Sequence, residues 1–212
     1  MTTQADSMSN QTAIADQPPA AASGHTIPTT AVIVTEKCYL RPYEDSDAEP
    51  MVETMDEMAK DPEVIQYLRV QLPSPYTLAD SQSWIKFCHS STMLMFGVFT
   101  LEGEWAGSVS LRPHNEHKIY AGTHELGYLM VRKFWGRGIM TDAVRAFTPW
   151  AFATYPDLLR IEAVVFDSNA ASLRVLEKCG FIKEGRRRLA VVKDGRQMDE
   201  FVLGLVRTDL TS

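Results

Sequence analysis

Cysteine is scarce in this chain: Cys38, Cys88 and Cys179 are the only three in 212 residues, and no two of them form a CxxC pair. That spacing excludes a disulfide framework and a cysteine-based zinc ribbon, and structural thiols in a reducing compartment are expected. A zinc-protease HExxH is missing too. His114, His117 and His124 gather around a polar loop without a cysteine pair, so no metal is expected. Positive charge is also short. Lys and Arg number 21 against 27 Asp and Glu, a formal net charge of −6, so neither nucleic acid nor an anionic membrane is the expected partner. No cation precedes Lys37, which argues against a secretory signal and an Arg-rich transit peptide. No apolar run approaches the roughly 20 residues that cross a bilayer. A cytoplasmic protein is the expectation, monomeric or homodimeric. There is no internal repeat.

What is present begins with a tail. Residues 1–30 are rich in Thr, Ser, Ala, Gln and Pro with few large apolar side chains. Such a segment buries too little surface to offset its chain entropy and is expected to be disordered. From residue 31 to 212 the pattern suits one domain with a well-buried core. "AVIVTEKCYLRPY" reads as a first strand, and "DSDAEPMVETMDEMAKD" as an acidic helix behind an Asp or Ser cap. "PEVIQYL" and "LADSQSWIKFCHSS" follow as helices. "MLMFGVFT" and "EWAGSVSLR" form a hairpin across "LEGE", and "YAGTHELGYLMV" is the next strand. A helix over 138–154 contains Pro149, which is expected to kink or shorten it. "LRIEAVVF" reads as a buried strand, "NAASLRVLEKCG" as an amphipathic helix ended by Gly180, and a final hairpin turns at "KDG". The predicted class is mixed α/β.

Between the strand ending at Val131 and the helix starting near Gly138 lies "RKFWGRG". Residues 124–166 thus read strand, glycine loop, helix, strand, a βαβ unit with a parallel crossover. A helix start presents unpaired N–H groups and a dipole that favours anions. Glycines let a diphosphate lie against the backbone, and Arg132, Lys133 and Arg137 supply countercharge. A dinucleotide fold would want a third glycine and an acid about twenty positions on, and a Walker loop would want Gly-Lys-Ser/Thr. Here Ile139 follows Gly138, so neither fits. A tight turn that binds nothing stays open on this spacing alone.

"VVFDSNAASLRVLEKCGF" (164–181), behind "ELGYLMVRKFWGRGIMTDAV", resembles the GNAT acetyltransferases, in particular their RimJ/RimL-type branch. The resemblance spans about residues 35–208. The family's Gln/Arg-x-x-Gly-x-Gly/Ala signature is matched at Gly136 and Gly138, with Lys133 at its first position. Its Asn-x-x-Ser…Gly-Phe segment is matched by Asn169, Ser172, Gly180 and Phe181. The resemblance implies a GNAT fold: a twisted mixed sheet with a parallel pair splayed to admit acetyl-CoA, and helices on both faces. It implies that backbone groups of Leu129, Met130 and Val131 pair with the pantetheine arm, one N–H polarising the thioester carbonyl. Amides across Phe134, Trp135, Gly136, Arg137, Gly138 and Ile139 would hold the diphosphate, with Lys133 as a cation beside them. Phe134 and Trp135 also read as packing residues that fix the loop. Asn169 would bond the pantetheine arm, and Ser172 would stand near the sulfur. Capping of the last long helix is the alternative for both residues.

The resemblance also implies an N-acetyltransferase, with acetyl-CoA as co-substrate and a primary amine, small molecule or peptide N-terminus, as acceptor. Many relatives carry an acidic tyrosine where this chain has Leu176, and RimL-type enzymes can carry a hairpin glutamate where it has Val191. Ser172 is then the proton donor, and Glu125 the remaining base, acting through water. A salt-bridged Glu125 is the alternative. A non-catalytic acyl-CoA-binding protein is the other functional reading, kept open by the two replacements. An α-amine titrates near 7.7–8.0 and lysine near 10.4, a gap of about 2.5 units or 3.4 kcal/mol. Without a clear strong base, the site leans toward α-amines. Residues 44–63 hold nine Asp or Glu and one Lys, which suits a cationic amine on that side or is simply a solvated face. "GRRR" (185–188) is expected to fringe the cleft.

Overall fold

The computed structural model describes residues 26–114 and 117–211. Most of the expected tail lies outside them. Residues 26–30, assigned to that tail by composition, are held against the domain: Ile27 packs on the core and Thr30 bonds Glu44 at 2.8 Å.

The predicted first strand divides into β1 (Ile33–Val34) and β2 (Cys38–Arg41). The cause is a tight turn at Thr35, whose hydroxyl accepts from the Lys37 and Cys38 amides. Helix α1 (Ala48–Lys60) buries Met51, Met55 and Met58 at helical spacing and sends its acids outward. Asp47 just ahead of it pairs with the buried Arg41 through both carboxylate oxygens. Pro62 opens the short α2 (Pro62–Ile65) under an Asp61 cap, and a Thr77–Asp80 capping box opens α3 (Leu78–Ser90). Then come the hairpin β3 (Leu94–Thr100) and β4 (Trp105–Pro113), and β5 (Thr123–Met130).

Helix α4 (Ile139–Thr154) is one continuous element, so Pro149 does not shorten it. Pro149 is exposed, which lets the carbonyl it leaves unpaired turn to water. The buried Phe147, Ala151 and Phe152 on the opposite side hold the helix together. Arg207 closes its far end, donating to the carbonyls of Phe152, Tyr155, Pro156 and Leu158. Strand β6 (Arg160–Phe166), helix α5 (Ala170–Lys178) and the hairpin β7 (Ile182–Lys193) and β8 (Arg196–Val206) complete the domain.

All eight strands form one sheet in the order β1-β2-β3-β4-β5-β6-β8-β7. Every pairing is antiparallel except β5 with β6. Side chains alternate along a strand, so Glu125 and Tyr128 leave β5 on opposite faces. Glu125 meets Arg69 from the segment after α2, and Tyr128 meets Ser172 at the start of α5. Helix α5 and the segment after α2 thus lie on opposite faces of the sheet. No helix among the described residues is long and apolar enough to cross a membrane.

Candidate active site

The parallel pair is held together over three positions only: Thr123↔Arg160, His124↔Ile161 and Glu125↔Glu162. Beyond them β5 continues to Met130 and β6 to Phe166 without pairing. Which backbone groups face the opening follows from hydrogen-bond alternation. The Val131 N–H donates to Ala106 O at 2.9 Å, in register with Gly107↔Met130. Antiparallel ladders alternate, so odd-numbered residues of β5 turn to β4 and even-numbered ones toward β6. The Asp167 N–H bonds Asp199 O, so by the same parity Val164 of β6 turns toward β5. The gap is thus lined by backbone groups of Tyr128, Met130 and Val164.

This corrects part of the expectation for residues 129–131. Leu129 directs its backbone to β4. Both polar groups of Val131 are engaged, the N–H with Ala106 and the carbonyl with the Phe134 N–H at 3.0 Å. Met130 alone of the three faces the gap. Its carbonyl accepts from the Trp135 indole at 2.8 Å, which leaves its N–H for a ligand.

At the mouth of the gap the glycine loop leads into α4. Gly136 and Gly138 both have positive φ, +74° and +78°, which side-chain-bearing residues adopt at a cost. A Cβ on Gly136 would meet nothing within 4 Å, so the need there is conformation. The first helical amide bond runs from Asp142 to Gly138. The amides of Ile139, Met140 and Thr141 therefore lack an intrahelical acceptor. None of the amides of Gly136, Arg137 and Gly138 donates to a backbone carbonyl among the described residues. Phe134 is buried and fixes the loop, while Trp135 is partly exposed. The result is an anion cradle of consecutive N–H groups.

Two of the three cations expected from sequence are already paired. Arg132 forms a two-fold bond to Asp61, both contacts 2.9 Å, which holds that carboxyl below the usual range. Lys133 pairs with Glu104 at 3.2 Å. Among the described residues, Arg137 and Lys37 have no carboxylate within salt-bridge distance. Arg137 lies over the Phe134 ring at 5.4 Å. Lys37, from the turn between β1 and β2, donates to Arg137 O at 3.3 Å, and its Nζ lies 2.9 Å from where a Gly138 Cβ would stand. Sequence gave no signal for Lys37, which is 100 residues from the loop it serves. Lys37→Ala should weaken acetyl-CoA binding about tenfold at low salt, the worth of one half-screened charge pair. Titration calorimetry should show that deficit shrinking as salt is raised; equal affinities at every salt would make Lys37 a mere tie between turn and loop.

Across the gap, Asn169 caps α5: its Oδ1 accepts from the Ser172 N–H at 3.0 Å. The capping alternative thus holds for Asn169, whose side-chain amino group stays available. It does not hold for the Ser172 hydroxyl, which lies 2.6 Å from the Tyr128 hydroxyl. Tyr128 also donates to Ser172 O at 3.1 Å, and burial pushes its phenol well above the ordinary tyrosine range. Leu176, where many relatives would place a tyrosine, is fully buried.

On the opposite face Glu125 is salt-bridged. Arg112 bonds one oxygen, and Arg69 Nη1 stands 3.8 Å from the other. Arg69 also donates to Glu200 at 2.7 Å and to Val164 O at 3.3 Å, so its guanidinium reaches the edge of the gap. Arg187 lies 3.8 Å from the buried Glu200. Glu200 stands opposite Arg187 on the hairpin, while Val191 pairs with Met198; sequence spacing did not reveal this buried, ion-paired carboxylate. The histidines are apart from this. His114 bonds Glu162 at 2.9 Å, and burial beside His114 lowers the pKa of His124. Burial holds Cys38 and Cys179 at about 11 and Cys88 at about 12, so none is a ready nucleophile.

A parallel strand pair joined at one end and opened at the other, with free amides at the mouth, makes an α/β domain whose sheet is open to a ligand between two of its strands. Residues 37–182 match the family described as the acetyltransferase (GNAT) domain. The chain belongs to the GNAT acetyltransferase family, and acetyl-CoA is its co-substrate. A probable N-acetyltransferase of Bacillus subtilis, YjcK, is 34% identical over 179 residues, which is 81% of this chain and 94% of that protein. In structure, the microcin C7 self-immunity acetyltransferase MccE, solved with acetyl-CoA and AMP, overlays with a TM-score of 0.70 at 20% identity, covering 84% of this chain and 97% of that one. A ribosomal-protein-S5-alanine acetyltransferase from Vibrio fischeri gives 0.69 at 22% identity, with coverage of 84% and 97%.

Proposed function

We propose that this acetyltransferase acts on α-amines, either a peptide N-terminus or a small amino-acid-like amine. The observation that carries the reading is the state of the two carboxylates on the acceptor face. Glu125 lies between Arg112 and Arg69, and Glu200 between Arg69 and Arg187. Neither is a free base. An acceptor that is already partly neutral needs less from such a site. At neutral pH roughly a tenth of α-amines are uncharged, against fewer than a thousandth of lysine side chains. The names of two relatives agree in direction: the Vibrio fischeri enzyme above and YdaF of Bacillus subtilis, a putative ribosomal N-acetyltransferase 30% identical over 108 residues, 51% of this chain and 57% of that one.

In this reading the acceptor approaches from the Glu125 face and the coenzyme from the cradle. The Met130 N–H donates to the carbonyl oxygen as it gains charge. Ser172 donates toward the departing sulfur, and a water held by Glu125 takes the proton lost by the amine.

The test is an acetyl-CoA turnover screen over peptide N-termini, lysine peptides with blocked N-termini, polyamines, aminoglycosides and free amino acids. Substrates with α-amines should exceed lysine side chains in kcat/KM by tenfold or more at neutral pH, and the ratio should narrow as pH rises toward the lysine value. A lysine or polyamine preference that persists at neutral pH would overturn the reading.

A further inference from the structure

We propose that Tyr128 is a positioning residue for the leaving sulfur, acting through Ser172. The inference rests on the reading that the Ser172 hydroxyl faces that sulfur. Two hydroxyls 2.6 Å apart share two protons and have one further acceptor, the Ser172 carbonyl, 3.1 Å from the phenol oxygen. Two arrangements satisfy this geometry. In one, the phenol donates to the carbonyl and Ser172 donates back to the phenol, so the serine proton is turned away from the gap. In the other, the phenol donates to Ser172 Oγ, and the serine proton is free to point at a third group. Negative charge growing on a sulfur beside Ser172 favours the second arrangement. The phenol then backs the serine as a donor, and hydrogen bonds in such a chain strengthen one another.

Burial makes this role durable. Because the phenol is held above its ordinary range, it keeps its proton, so it remains a donor and is not consumed. Neither hydroxyl gives up its proton: both stabilise the thiolate as hydrogen-bond donors, and the thiolate is protonated at the expense of the proton that the acceptor amine releases to solvent. The Ser172 main chain is fixed independently by the Asn169 cap, so only the hydroxyl proton needs to move. With Leu176 buried and apolar, β5 supplies the tyrosine hydroxyl at this end of α5.

The consequence is measurable without any acceptor. A donor pair aimed at sulfur lowers the proton affinity of the bound coenzyme A thiol. The experiment is an ultraviolet titration of thiolate in the protein–coenzyme A complex, with desulfo-coenzyme A as blank, on wild type, Tyr128→Phe, Ser172→Ala and the double variant. The protein's own thiols titrate at about 11 and above and stay silent at lower pH. Tyr128→Phe should reduce the thiolate fraction at a given pH about tenfold, the size expected for loss of one charge-assisted donor. Ser172→Ala should do the same, and the double variant should add nothing further. Unchanged titration in Tyr128→Phe at wild-type coenzyme A affinity would reduce Tyr128 to a structural link between β5 and α5. An effect of Ser172→Ala alone would overturn the coupling while keeping Ser172 at the sulfur. A null result in both variants would overturn that placement, and failure of the wild-type protein to bind coenzyme A would overturn the cradle itself.

Discussion

Gly138→Asp should weaken acetyl-CoA binding by at least about 100-fold while the protein still folds. The substitution acts twice on the same electrostatics. It places a carboxylate within the N–H cradle, where a diphosphate would sit, and it offers Lys37 a partner, since the Lys37 Nζ lies 2.9 Å from the new Cβ. One unit charge at about 4 Å is worth between roughly 1 and 4 kcal/mol across the dielectric range of a protein surface, and two such terms reach the 2.7 kcal/mol of a 100-fold loss once each is worth about 1.4 kcal/mol. The left-handed conformation adds strain of about 1 kcal/mol, which aspartate and asparagine bear better than most residues. Gly138→Asn separates the causes, because it carries the same bulk and backbone strain without the charge. Calorimetry on both variants, with thermal melts alongside, should find asparagine far closer to wild type than aspartate. Equal losses would point to shape, and undiminished binding by a folded Gly138→Asp would remove the phosphate cradle.

Ser172→Ala should lower kcat about 100-fold on the best amine from the screen, with acetyl-CoA affinity little changed. That is the low end of general acid–base assistance, chosen because water can replace part of the lost donor. Stability should hardly move. The cap of α5 uses the Ser172 N–H, which alanine keeps, and Tyr128 retains the Ser172 carbonyl as acceptor. Asn169→Ala supplies the contrast, since it removes the cap and should cost about 1 kcal/mol of stability. Near-normal turnover by Ser172→Ala would show that the departing sulfur needs no donor from Ser172.

Sequence made local features legible and left tertiary ones hidden. The glycine loop was readable because its requirements, positive φ and an open helix start, are written in adjacent residues from Lys133 to Ile139. The final helix was equally clear from Asn169 to Gly180. Pro149 does not shorten α4 because its penalty depends on exposure, and there it faces solvent. The backbone roles at 129–131 were unreadable for a different reason: which groups a strand turns inward depends on register, and the Val131–Ala106 bond sets it. Nothing in the string brings Tyr128 to Ser172, 44 positions away. Arg69 was invisible because it lies in an irregular stretch, and its partners Glu125, Val164 and Glu200 come from three strands. Glu200 escaped a motif reading because its ion pairs with Arg69 and Arg187 arise only from tertiary packing.

The short parallel seam makes the sheet two plates, β1 to β5 and β6 with β8 and β7, stitched over three residue pairs and strapped by α4. Any chain that enters between the plates and pairs with both edges becomes a spar of the scaffold as well as a reactant. By mass action, a ligand at 100 times its dissociation constant adds about 2.7 kcal/mol to the folded state. Saturating acetyl-CoA is then expected to raise the thermal midpoint of the protein, so that the acetyl donor acts as a strut as well as a reactant.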